Sequence, residues 1–168
     1  MKSSEIFDWL ENTTNPTHKL ITEINNVIYK DGIISVDKSD IENALKNSIE
    51  CDYHTVRKYN DDKEISAIKE LCESFDLKNA KYFIVIISQN GGLTFAKTHE
   101  MLDLISEYVD SNTQIIIGDY EESRIWNDIK ITGIYQFCFF IMKHRKFIRV
   151  IRNNLTNFIR MITYNQLF

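Results

Sequence analysis

The sequence predicts an α/β (α+β) two-layer sandwich: a four-stranded sheet with helices packed on one face, preceded by a further helix. Three observations carry that expectation. Segments with apolar residues three and four apart alternate with short runs rich in β-branched residues. The strand-like runs number four, and a helical segment separates each of the first three. One proline and five glycines in 168 residues leave few places to interrupt these elements.

Residues 3–12 read as a short helix, with Ser3 or Ser4 as cap and Ile6, Trp9 and Leu10 on one side. Asn15-Pro16 opens the next helix, since proline suits the first helical position, where its missing N–H would be unpaired anyway. Leu20, Ile21, Ile24, Val27 and Ile28 follow at helical spacing, and the pattern stops at Lys30-Asp31-Gly32. Gly32 is expected in the left-handed position just past a helix end. Ser39 with Glu42 reads as a capping box for a helix running from Ile41 to about Ser48.

Residues 51–59 alternate weakly and carry polar groups on both faces, which predicts an edge or half-exposed strand. Asn60-Asp61-Asp62 breaks it. A helix over 62–75 follows, with Ile65, Ile68, Leu71, Cys72 and Phe75 as its stripe. Residues 81–88 are continuously apolar and β-branched, as in a central strand or one covered on both faces. After the Asn90-Gly91-Gly92 turn, Thr94 caps a helix to about Tyr108, with Phe95, Leu102, Ile105 and Val109 predicted inward. Strands over 113–118 and 128–137 complete the set.

The length suits one domain, residues 1–142, with an appendage at 143–168. Charge is unevenly placed. Residues 129–168 hold seven Lys/Arg and no Asp/Glu, leaving 13 basic against 24 acidic side chains in residues 1–128. The tail reads as a basic amphipathic helix, with Phe147, Ile148, Ile151, Leu155, Phe158, Ile159 and Ile162 at helical steps. Lys143, Arg145, Lys146, Arg149 and Arg152 make it a candidate partner or membrane surface. Docking on its own acidic domain, on an anionic membrane or on an acidic partner are all open. Cys51, Cys72 and Cys138 show no metal or redox spacing and suit a reducing compartment. No apolar run is long enough to span a bilayer and no leader is apparent, so a cytoplasmic chain is expected. Nothing in the acidic balance points to nucleic acid.

Asp37 and Asp40 lie three residues apart on a short loop at a helix start. Such a pair could hold a cation or orient a water. Equally, Asp40 could simply favour the helix dipole and Asp37 be an ordinary loop residue. The run Gly32-Ile33-Ile34-Ser35-Val36-Asp37-Lys38-Ser39-Asp40-Ile41 resembles the synergy loop of the tubulin/FtsZ family, Gly-Leu-x-Asn-Val-Asp-Phe-Ala-Asp-Val. Further along, Phe83–Ser88, His99–Ile105, Ile115–Gly118 and Trp126–Gln136 resemble successive elements of that family's second domain. The resemblance covers roughly residues 15–137.

In that family the loop follows a long central helix and enters the nucleotide pocket of the neighbouring subunit, where its two aspartates help position the water that attacks GTP. The resemblance implies this role in trans for Asp37 and Asp40. Ser35 stands at the family's asparagine and Lys38, a candidate partner contact, at its buried phenylalanine. An FtsZ-like or tubulin-like subunit is the implied partner, with a place in cell division or filament regulation. The family's Gly-Gly-Gly-Thr-Gly-x-Gly phosphate loop has no counterpart here, and neither a Walker A sequence nor a His/Cys metal cluster occurs. The chain alone is therefore expected to bind no cofactor or metal, to meet GTP only through a partner, and not to be an enzyme by itself. The four scattered histidines read as surface or packed residues.

Overall fold

The computed structural model describes residues 18–46, 51–59, 61–91, 93–123 and 128–137. The predicted 3–12 helix and the basic tail with Lys143, Arg145, Lys146, Arg149 and Arg152 lie outside the described residues. Helix α1 spans His18–Tyr29 and α2 Lys38–Lys46. Then come β1 (Cys51–Lys58), α3 (Lys63–Glu73), a 3-10 turn (Leu77–Asn79) and β2 (Ala80–Gln89). Helix α4 (Phe95–Tyr108) leads to β3 (Gln114–Glu121) and β4 (Ile129–Phe137). The four strands form one mixed sheet in the order β1-β4-β2-β3. Strand β2 runs parallel to β3 and antiparallel to β4, and β1 is antiparallel to β4.

The predicted fold class stands, and the periodicity of β2 explains its layering. Phe83, Val85 and Ile87 join the core beneath α3 and α4, with Ile68, Leu71, Met101 and Ile105. The alternate residues Ile84 and Ile86 join a second core beneath α1 and α2, with Leu20, Ile24, Val27, Ile41 and Leu45. Helices α3 and α4 thus form the sandwich with the sheet, and the preceding pair α1–α2 covers the other face. A strand covered on both faces has no reason to alternate, hence its unbroken apolar run. Strand β1, read as an edge from its polar faces, is one. Its Thr55 hydroxyl shares a 3.0 Å hydrogen bond with that of Thr132 on β4.

Four local expectations are corrected. Strand β3 does not stop at Gly118 but runs on to Glu121. A Cβ at Gly118 would lie 2.2 Å from Val36 Cγ2 and 2.8 Å from Val27 Cγ2, so this glycine is a notch in the strand for helix-layer side chains. Phe95 does not point inward; it is 74% exposed. The buried stripe of α4 is Thr98, Met101 and Ile105, and at 100° per residue Phe95 lies about 90° off its axis. The Thr94 cap is present, its hydroxyl oxygen accepting the Lys97 N–H at 3.2 Å. The other two corrections, to Gly32 and to the start of α2, bear on the site.

Candidate functional site

The loop between α1 and α2 lies as a strap along the outer edge of β3. The Glu121 N–H donates to the Asp31 carbonyl at 3.0 Å, and the Asp119 N–H to the Ile34 carbonyl at 3.1 Å. The buried Asp119 carboxylate accepts the Ile34 N–H at 2.6 Å. Lys30 pairs with Glu122 at 3.3 Å and lies 4.9 Å from the centre of the Tyr120 ring. Gly32 is not in the left-handed region, contrary to the reading of it as a helix stop. Its role is close approach: a Cβ there would lie 2.1 Å from the Asp119 carbonyl oxygen.

Beyond Ser35 the chain leaves the edge. Val36 drops above Gly118 into the second core. The Asp37 carbonyl accepts the N–H groups of Asp40 (3.0 Å) and Ile41 (3.4 Å), so α2 starts at Lys38 with Asp37 as its cap residue. This replaces the expected Ser39–Glu42 capping box. Ser39 sits in the first turn, and Glu42 pairs instead with Lys38 at 3.6 Å. Lys38 is therefore held along α2 by its own helix, and partly buried.

Ser35, Asp37 and Asp40 are all exposed. Asp37 and Asp40 flank one turn at the start of α2, where a helix N-terminus favours negative charge. Tyr29 and Ile33, earlier in the same stretch of chain, are exposed apolar side chains. Asp40 also lines a cleft of about 410 Å³ with Asn43, Tyr82, Gln114, Ile115 and Ile116. Among the described residues no group of three or more His, Cys, Asp and Glu side chains is placed to hold a metal ion. Two exposed carboxylates can take a cation or orient a water that another surface confines. A triphosphate does not fit them, because like charges repel. Gly91, at φ +70°, faces open space just past the end of β2.

One constellation escaped the sequence reading. Glu23 on α1 accepts hydrogen bonds from the Tyr120 hydroxyl (2.7 Å) and the Lys130 ammonium (2.7 Å), and Lys130 lies 3.2 Å from that hydroxyl. The Glu23 and Lys130 side chains are 6% and 8% exposed. Burial works to lower the Lys130 pKa, but the hydrogen bond and charge of Glu23, with Tyr120, outweigh it and hold the group above its ordinary value. A signal was there: Glu23 stands three after Leu20 and four before Val27, on the apolar stripe. The network ties α1 to β3 and β4, and so sets where the strap begins. Cys72 is not a nucleophile. Burial, with Glu73 adding to it, pushes its thiol up to about 12.

No protein-family profile matches the chain. In sequence it is 23% identical over 118 residues to the cell division protein FtsZ of Methanothermobacter thermautotrophicus, and 25% identical over 129 residues to that of Wolbachia pipientis. These matches take in 68% and 71% of this chain but only 31% and 41% of the relatives, so the chain spans well under half their length. In structure it resembles a mutant FtsZ of M. jannaschii, with a TM-score of 0.65 at 18% identity, over 81% of this chain and 41% of that one. An empty FtsZ dimer from the same organism gives 0.62 at 19% identity, over 81% and 40%. A CetZ of Methanosaeta thermophila gives 0.53 at 10%, over 89% of this chain and 48% of that one. The sequence and structure matches point to the same family, and the fold is that of the FtsZ C-terminal domain.

Proposed function

We propose that this chain is an FtsZ-like C-terminal domain that works by contact with a GTP-binding FtsZ-like subunit, presenting the strap and the start of α2 to it. The observation that carries this reading is the fastening of the strap. Two backbone hydrogen bonds, the Asp119 carboxylate and the Gly32 contact hold residues 31–34 against β3, so Asp37 and Asp40 are offered from a fixed frame. Preorganised carboxylates lose little freedom when a partner meets them. A role in cell division or filament control follows from the relatives' names and belongs to the same proposal.

A second reading makes the chain half of a split GTPase, with Asp37 and Asp40 completing the site in trans. The exposure of both carboxylates favours it. Ser35, also exposed, would sit beside the reacting water. A third, in which the domain keeps its fold but has taken a new binding role, draws on Lys38: its ammonium is engaged by Glu42 where the family has a buried phenylalanine. One experiment separates the three. The chain is mixed with a GTP-binding FtsZ-like subunit, with and without GTP, and both co-sedimentation and phosphate release are followed. Binding without added turnover supports the interaction protein. Turnover lost in Asp37→Ala and in Asp40→Ala supports the split enzyme. No association at tens of micromolar removes both and leaves the third.

A further inference from the structure

The outer edge of β3 is divided in two. Along Asp119–Glu121 its outward N–H groups are taken by the strap. Strand residues two apart point the same way, so the N–H and C=O groups of Ile115 and Ile117 face outward on the same edge. The strap never reaches them, because it turns off at Val36, which is seated above Gly118. Among the described residues no backbone group pairs with the outward N–H of either isoleucine. Immediately beside this open half lies the cleft of about 410 Å³. Tyr82, Ile115 and Ile116 give it apolar walls, and Asp40 and Asn43 on α2 form its polar rim. No cation among the described residues pairs with Asp40.

We propose that the Gln114–Ile117 edge of β3 and the adjoining cleft form a docking groove for an extended, basic segment of a partner protein. The segment adds as a strand and sets a lysine or arginine against Asp40. Three features of the molecule specify this occupant. The chain's own residues 31–34 already use the same mode, antiparallel on the same edge at Asp119–Glu121. An open edge with adjoining side-chain pockets is how sheets take up peptides, main-chain bonds giving affinity and alternate side chains specificity. Among the described residues the one charged group lining the groove is a carboxylate, on a body whose residues 1–128 carry 13 basic and 24 acidic side chains. The partner segment therefore alternates apolar with polar residues and carries a cation on the face turned to the cleft. The groove shares Asp40 with the surface proposed above for an FtsZ-like subunit, but Asp37 takes no part in it and filling it needs no nucleotide, so the peptide experiment stands or falls separately from that reading.

The probe is a capped heptapeptide, Thr-Val-Thr-Lys-Thr-Val-Thr, with its valines and lysine on one face. One control replaces the lysine by norleucine; another carries N-methyl groups on the amides that face β3. Amide hydrogen exchange of the full chain is followed residue by residue. In the free chain Ile115 and Ile117 should exchange faster than Asp119 and Glu121, and saturating peptide should slow them at least ten-fold. Asp40→Asn should weaken the lysine peptide at least five-fold and leave the norleucine peptide unchanged. That comparison stays valid even if the substitution loosens α2. The N-methylated peptide should not bind. The proposal is overturned if Ile115 and Ile117 are as protected as Asp119 in the free chain. It is equally overturned if N-methylation leaves binding intact, or if no exchange changes up to millimolar peptide.

Discussion

Glu23 occupies a position that the spacing of α1 assigns to an apolar side chain, and it survives there because Tyr120 and Lys130 satisfy both of its oxygens. A buried ion pair adds little over a well-packed apolar pair, but breaking one strands a charge and costs about 3–5 kcal/mol. Lys130→Met should therefore lower the stability of the chain by that amount in denaturant titration. Glu23→Gln combined with Lys130→Met should recover part of it, because no charge is then stranded. The pH dependence has a defined sign. The folded-state pKa of Lys130 is raised, so its contribution is complete below the unfolded value of about 10.4 and is lost as pH rises through the folded value. Stability measured from pH 9 upward should fall in the native chain and fall less in Lys130→Met.

The strap and β3 make one unit at the level of elements. An open strand edge is a template for unwanted pairing, and natural sheets cover such edges. Here the cover is also the segment that carries Asp37, so edge protection and site geometry rest on the same contacts. Gly32→Ala tests the coupling. The added Cβ meets backbone, the Asp119 carbonyl oxygen at 2.1 Å, and cannot be relieved by a side-chain rotation. The strap must lift, at a cost of about 1–3 kcal/mol, as for other overpacked sites. The Asp119 and Glu121 amides should then exchange with solvent faster, while the Ile84 and Ile86 amides inside the sheet stay protected. Equal acceleration everywhere would show that the strap is not a separable element.

For the whole molecule, the sequence offers no glycine-rich run of the kind that builds the anion-binding part of a nucleotide site. Phosphate cradles are built from successive backbone N–H groups in glycine-rich turns. Gly91 and Gly92 are the only adjacent glycines in the sequence, and Gly91 faces open space. Calorimetric titration of the chain alone with GTP should show no one-to-one binding at micromolar concentrations. A micromolar site would overturn the reading that nucleotide reaches this surface only with a partner.

The periodicities by themselves determined the element order, the covered strand β2, the edge position of β1 and the Thr94 cap. Each depends on the nearest few residues, or on a burial pattern repeated along an element. The run Gly32–Ile41 stood out through its resemblance to the family's synergy loop, not through any periodicity. What Gly32 and Gly118 are for was decided by tertiary structure alone. Their neighbours in space are Asp119 for one, and Val27 and Val36 for the other, residues that no local pattern brings near. The start of α2 at Lys38 rather than after Ser39 has the same origin. The strap's hydrogen bonds to β3 and the seating of Val36 fix where the chain turns, and the helix begins where that turn leaves it. The Glu23–Tyr120–Lys130 network spans 107 residues of sequence between its ends. The sequence shows only a charge on an apolar stripe, and the fold supplies the partners that make burying it possible.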